Sequence, residues 1–454
     1  MPKYLPLRDG AKIAIIGGGP AGSLFAHFAL RYAREAGLGI DISIFDGKSF
    51  STTGARGCNM CAGVIARTLA DRLKEEGIEL PPNVVQRQVG GYWLETPVGS
   101  LYLHQELEPG GILTVYRGNG PRGSSYRGNI SFDDYLLDGA KKEGVKVIPY
   151  YATDIELPAD PSNRARVFYG RSSDVASEEF DLVVGAFGMN SKLADRVKEM
   201  GFGYSPPQSV RCIQAEIFLG AEYIQQAFGN SIYVYALRLP GVKFAAITPK
   251  YDYLTITVVG QNVGEKDVNA LLSHPLVRRR LPGELQLQSA HCRCQPRVAV
   301  SPSKHPYTDR LVIVGDASNS RLYKNGLESS FVTAKAAAAT AIGRGVSNEA
   351  FENSYYPICR AIARDSFYGK IIFSVDGHVF AHDLSTRLLL NAARLEQQKY
   401  EIGDQLISGL VWSIMTGNRP YREILGDGLS PQMHIRTAVK TAKSVWRKLT
   451  TRGQ

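Results

Sequence analysis

Apolar positions divide the chain into four regions. From Lys12 the run Ile13-Ala14-Ile15-Ile16 stops on glycines, and Leu24, Phe25, Phe28 and Leu30 then recur at helical spacing before a second apolar run, Asp41 to Phe45. Strand, turn, helix and strand make a βαβ unit, which predicts a parallel sheet. From Tyr92 to Tyr126 the pattern is short, strand-like and broken by glycines. Phe132 to Glu143 predicts a helix with Tyr135, Leu136 and Ala140 on its apolar face, followed by a strand at Val145 to Pro149. Asp181 to Phe187 reads as another buried strand, and Ser231 to Leu237 and Tyr253 to Val259 alternate as an antiparallel sheet would within 211–260. A last buried strand, Arg310 to Val314, leads to an alanine-rich helix from Ser329 to Ile342, and the remainder reads as helical.

The first turn carries Gly17-Gly18-Gly19-Pro20-Ala21-Gly22, a G-x-G-x-x-G directly after a strand and opening a helix. Gly17 permits the tight turn, Gly19 lets the backbone approach a pyrophosphate, and Gly22 allows close helix packing; Pro20 and Ala21 open the helix whose dipole faces the phosphates. Asp46 ends the second strand, where a carboxylate accepts from ribose hydroxyls. Far downstream, Leu311-Val312-Ile313-Val314-Gly315-Asp316-Ala317 repeats the theme of a strand ending on glycine and acid. Asp316 there suits the ribityl hydroxyls of a flavin, so the two motifs together point to FAD rather than a nicotinamide nucleotide. The predicted fold class is α/β plus antiparallel β. A Rossmann-type FAD-binding domain is interleaved from 1–90, 127–205 and 295–345. An antiparallel substrate domain comes from 91–126 and 206–294, and 346–454 form a helical C-terminal region.

Lysine and arginine number 53 against 43 acids, a net charge of +10, which favours an anionic partner. No recognisable nucleic-acid module is present, so nucleic acid is not expected. Met1 to Ala11 is polar and lacks the apolar core of a secretory signal, and no apolar run reaches 18 residues. The expectation is a cytoplasmic protein, peripheral to the membrane at most, whose six cysteines are thiols. Cys58 and Cys61 form C-x-x-C, and Cys292 and Cys294 form C-x-C beside His291. The C-x-x-C leaves open a redox dithiol, one end of a metal site or a pocket lining, whereas C-x-C with one neighbouring histidine does not match the common structural zinc spacings, and no metal is expected.

Further motifs resemble the geranylgeranyl reductase family of FAD-dependent oxidoreductases, within the wider class of aromatic hydroxylases and flavin-dependent halogenases. Most of the first 345 residues take part. Gly57-Cys58-Asn59-Met60-Cys61-Ala62-Gly63 resembles the family's Cys-Gly-Gly stretch, with Cys61 at the family cysteine. Arg127-Gly128-Asn129-Ile130-Ser131-Phe132-Asp133-Asp134-Tyr135-Leu136 resembles its arginine-plus-F-D-x-x-L element. Phe244-Ala245-Ala246-Ile247-Thr248-Pro249 resembles its Y-x-W-x-F-P pocket segment, with Ala246 where the tryptophan stands and Thr248 where the last aromatic does. A pocket formed by Phe244, Ala246, Thr248 and Pro249 is therefore wider and less aromatic. The hydroxylases' G-A-D-G reads Gly185-Ala186-Phe187-Gly188, without its carboxylate, which leaves the electron donor open between NAD(P)H and a redox protein. After the second acid the chain has Tyr323-Lys324-Asn325-Gly326 in place of the family's proline and T-G-E-G.

The resemblance implies Arg127, Gly188, Gly315 and Gly326 as further cofactor contacts, and an apolar small-molecule substrate. Reduction of an alkene needs a hydride at one carbon and a proton at the other, with Cys61, Tyr323 and Lys324 as the candidate catalytic groups. Two alternatives stand beside it: a flavin monooxygenase, and a flavoprotein that relays electrons to a quinone or a partner protein. Residues 432–454 carry six cations and no acid, with Ile435, Val439, Trp446 and Leu449 at helical spacing. That is the pattern of a helix lying on anionic lipid, to which Leu406 to Met415 with Trp412 could add an anchor.

Overall fold

A computed structural model describes residues 4–104, 112–124, 128–171, 174–323 and 326–431. The buried runs find one another: Leu311–Ile313, Leu182–Gly185, Ala11–Ile16, Ile40–Phe45 and Lys146–Ile148 lie side by side in that order as parallel strands, with Tyr307–Thr308 antiparallel at one edge. A parallel sheet must be covered on both faces. Ile13 and Ile15 point toward the helices Pro20–Glu35, Phe132–Lys142 and Gly326–Gly343, in one core with Phe25, Phe28, Leu136 and Phe331. Ala14 and Ile16 point the other way, into a core with Ile155, Val167, Phe180 and Val197. Those residues come from the antiparallel strands Ala152–Glu156, Ala165–Arg171 and Asp174–Phe180 and the helix Leu193–Glu199, a cover that the apolar pattern had not announced.

The second body is a broad sheet in the order Cys292–Cys294, Ser209–Phe218, Tyr253–Gly260, Val242–Pro249, Ser231–Tyr235, Gly91–Thr96 and Gly99–His104. Its pairs are antiparallel except Ser231–Tyr235 with Gly91–Thr96. Side chains alternate between faces. Ile213, Ala215, Ala245, Ile247, Ile256 and Val258 enter a core with Leu271 and Leu272 of the helix Glu265–Ser273. The opposite residues, Cys212, Gln214, Ala246, Thr257 and Val259 among them, line a cavity. Ile112–Val115, expected within this sheet, pairs instead with Val64–Ile65 and Val85–Val89. Leu113 and Val115 thereby join the core of the nucleotide side.

The C-terminal helices Tyr356–Ala381, Asp383–Gln397, Leu406–Thr416 and Tyr421–Gly428 roof the outer part of the broad sheet. Leu390, Ala393, Ile407 and Val411 pack on Tyr92, Leu94, Leu101 and Leu103. The fully buried carboxylate of Glu396 accepts from the amides of Leu406, Ile407 and Ser408 at 2.8, 2.7 and 3.1 Å, seeding the third of these helices at its positive end. Trp412, expected as an interfacial anchor, is instead 3% exposed and meets the edge of Tyr92 at 5.6 Å, so the apolar character of 406–415 is spent on the core. Among the described residues no helix is long and apolar enough to cross a membrane. The basic tail 432–454 lies outside the described residues.

Candidate nucleotide and substrate site

Backbone contact builds the cradle. Gly17 has φ +109° and donates its amide to Phe45 O at 2.9 Å; a Cβ on it would stand 2.4 Å from Ala186 O. A Cβ on Gly22 would stand 2.0 Å from Gly17 O, so neither position accepts any other residue without moving the chain. The helix Pro20–Glu35 starts at Gly19 with no side-chain cap. Its first turn borders the cavity through Gly19, Pro20 and Ala21, which leaves a positive helix end facing open space. Asp46 sits at the end of the neighbouring strand, its Oδ2 accepting from Gly18 N and its Oδ1 from Lys48 N, both at 2.8 Å. Burial pushes its carboxyl above the ordinary range. Tyr151, which the sequence did not single out, lies close over Gly47 beside this acid; its half-exposed ring also borders the cavity.

On the far side, Gly315 donates its amide to Thr333 Oγ1 at 2.9 Å and Asp316 turns into the cavity. Among the described residues, Asp316 Oδ1 is buried with no hydrogen-bond partner, and a Cβ on Gly326 would approach it to 3.2 Å. An unsatisfied buried oxygen costs about 1–3 kcal/mol, which a ligand hydroxyl at this point would relieve. Gly188, at φ +65°, lies along the same wall. The glycine loop, the uncapped helix end, Asp46 and the unpartnered Asp316 fit a dinucleotide with a ribityl chain.

The C-x-x-C loop is tethered by a buried ionic cluster. Arg117 Nε and Nη2 donate to Asp133 Oδ1 and Oδ2 at 2.5 and 3.0 Å, and Asn59 Nδ2 donates to Asp133 Oδ2 at 2.5 Å. Lys48 Nζ in turn donates to Asn59 Oδ1 and Cys58 O, both at 3.0 Å. Asn59, Met60 and Cys61 thus border the cavity, and all six cysteines are free thiols. Burial raises the Cys58 thiol and pushes that of Cys212, on the sheet face, to about 12, so neither favours a thiolate. Arg117, which the sequence reading passed over, places a guanidinium here; Arg127 lies outside the described residues. Among the described residues no group of three or more His, Cys, Asp or Glu could hold a metal ion.

Phe244, Ala246 and Thr248 alternate along one strand and all border the cavity, while Pro249 ends the strand outside it, its carbonyl accepting from Thr114 Oγ1 at 3.4 Å. Tyr323 has φ +59°, rare for a tyrosine. Its hydroxyl accepts from Lys243 Nζ at 2.6 Å and its ring meets Phe244 and Phe373 edge-on at 6.1 and 5.1 Å. Lys324 lies outside the described residues. The cradle, Cys61, Tyr323 and the sheet face share one cavity of about 1990 Å³. A single-ligand pocket usually spans about 300–1,000 Å³, so there is room for a dinucleotide and a second molecule.

No family model matches the chain. The geranylgeranyl diphosphate reductase of Synechocystis sp. is 22% identical over 338 residues, 72% of this chain and 73% of the relative. Among solved structures, a geranylgeranyl bacteriochlorophyll reductase-like protein from Thermoplasma acidophilum matches with a TM-score of 0.63 at 16% identity, covering 93% of this chain and 99% of that one. The flavin-dependent halogenase CmlS matches with a TM-score of 0.60 at 18% identity, covering 97% and 78%. The resemblance that the motifs carry is therefore the one that both comparisons return, and the fold is that of flavin-dependent oxidoreductases.

Proposed function

We propose that the protein is an FAD-dependent oxidoreductase that reduces a carbon–carbon double bond in an isoprenoid or similarly apolar molecule. The observation that carries this reading is the single cavity joining a dinucleotide cradle to the sheet face of Phe244, Ala246, Val234 and Val259. The main chain of Gly19 to Ala21, at the positive end of the first helix, would hold the pyrophosphate, Asp46 the adenosine ribose and Asp316 the ribityl hydroxyls, with Tyr151 beside the adenine end. FAD, when bound, supplies the hydride. The chain's own part is to orient the alkene along the sheet face, to exclude water there, and to hold a proton at Cys61 Sγ or Tyr323 Oη for the second carbon. The electron donor is NAD(P)H or a redox protein, since Phe187 replaces the carboxylate that would help seat a nicotinamide.

Purified protein reduced without oxygen and then mixed with geranylgeranyl diphosphate, a quinone or air tests the reading. Reoxidation by the lipid, with a gain of two hydrogens in its mass, supports reduction. Inertness toward the lipid with rapid oxygen consumption and a hydroxylated product moves the assignment to a monooxygenase, and reoxidation by quinone alone to an electron relay. Cys61→Ala retains the flavin spectrum and slows reoxidation by the lipid about 10²-fold if the thiol is the acid; an unchanged rate in stopped-flow absorbance assigns that role elsewhere.

A further inference from the structure

The helix Tyr356–Ala381 shows two unlike sides. Cys359, Ser366, Gly369 and Ile372 turn inward. Arg360, Arg364, Phe367, Ile371, Val375 and His378, three or four residues apart, share the outward side. On this stripe Phe367 is 60% exposed and Val375 55%, and Ile371 is exposed too. The next helix, Asp383–Gln397, exposes Leu384 at 71% and Leu388 one turn later. Isolated exposed hydrophobes mean little, but a run of this kind on adjoining helices marks a contact surface.

Charge identifies the occupant. Every exposed position of Tyr356–Ala381 is apolar, small, neutral-polar or cationic, and none is a carboxylate. Its two acids are half-buried, Asp365 against Arg321 at 3.0 Å and Asp376 at the cavity wall. Lys370 adds an exposed cation; on the following helix the exposed Asp383 is matched by two cations, Arg238 at 2.7 Å and Arg387 at 4.0 Å. Apolar side chains flanked by cations, with no carboxylate exposed among them on this helix, suit the anionic surface of a bilayer, where side chains enter the acyl boundary and the cations meet headgroups. The position suits it too: Lys370, Ser374 and His378 border the cavity and are also exposed, so the cavity opens along the edge of this stripe.

We infer that the outward face of Tyr356–Ala381, extended by Leu384 and Leu388, rests on an anionic lipid surface, so that the cavity mouth stands at the membrane. The inference goes beyond the proposed reaction and is read without it, by vesicle binding rather than turnover. The full chain is sedimented with vesicles of phosphatidylcholine, with and without phosphatidylglycerol, beside the variant Phe367→Ser/Ile371→Ser/Val375→Ser. Wild type partitions to the anionic vesicles, less so at high salt, and the variant loses at least about tenfold of that partition with its melting temperature and flavin spectrum unchanged. In Phe367→Trp, the emission added over wild type shifts to the blue with anionic vesicles and is quenched by brominated lipid. Undiminished vesicle binding by the triple variant overturns the inference, as does an indole reporter at this position that does not respond to the vesicles. So does a wild type that ignores vesicles but sediments as a dimer that the triple variant breaks, since the stripe is then an interface between copies.

Discussion

The cradle and the sheet face enclose the same cavity under opposite rules. In the cradle, main chain touches main chain: Gly17 against Ala186 O and Gly22 against Gly17 O leave no space for a Cβ. On the sheet face, every second residue of Val242–Pro249 and its neighbours looks into open volume, and its mates on the other side carry the packing. One region fixes what is bound through its backbone; the other shapes it with side chains that can be exchanged. The cradle should therefore fail under small changes that the sheet face absorbs.

The largest effect falls on Gly22→Val. Its added atoms start from a Cβ that would lie 2.0 Å from a carbonyl oxygen, so the turn must open. A loss of more than about 4 kcal/mol, with purified protein free of flavin, is the expected outcome in thermal melting and absorbance. A variant that melts like wild type and stays yellow would erase the contrast. Next is Arg117→Met, which strands Asp133 at 0% exposed side chain without its cation. Breaking such a pair costs about 3–5 kcal/mol, whereas Arg117→Met/Asp133→Leu, which removes both charges, recovers much of it; chemical denaturation of the two variants reads the difference.

How much of this was legible follows from distance along the chain. The cradle's turn lies within six consecutive residues, with a stated geometric duty for Gly17, Gly19 and Gly22, and the strand and acid that follow are one helix away. Arg117 and Asp133 are 16 residues apart, and neither residue type at that spacing signals a pair. The strands Ala165–Arg171 and Asp174–Phe180 escaped notice because most of the second is exposed on both faces, leaving no apolar alternation to read. For 406–415 the hydrophobicity was plain but its destination was not: an apolar helix looks the same in sequence whether it meets lipid or Tyr92.

A smaller effect tests how the cradle's helices are held. Glu76 receives Arg31 Nη1 of the first helix and, at 2.6 Å, Lys335 Nζ of the helix Gly326–Gly343. Burial pushes its carboxyl up, but the two cations outweigh it and hold it below the ordinary value. A folded value below the unfolded one gives stability that is present above the usual carboxylate range and lost as pH falls through the folded value. Glu76→Gln should cost about 1–2 kcal/mol at neutral pH, and melting curves of variant and wild type should draw together below about pH 4. A constant gap across pH would mean the network contributes shape rather than charge.

Ala246→Trp carries the smallest stability change and the sharpest contrast. Ala246 sits between Val234 and Thr257 on neighbouring strands, all three facing the cavity, so an indole there enters open volume and displaces no core atom. The melting temperature should correspond to a change within about 0.5 kcal/mol, and flavin should be retained. Ligand capacity should change instead: under the proposed reduction of an isoprenoid, reoxidation of the reduced flavin by a long prenyl diphosphate should fall while that by a shorter one is spared, because the added ring shortens the trough along the sheet. Kinetics with the two chain lengths measure this directly. If the indole also expels the flavin, the sheet face and the cradle are not separable, and the tolerance argued for one cannot be set against the strictness of the other.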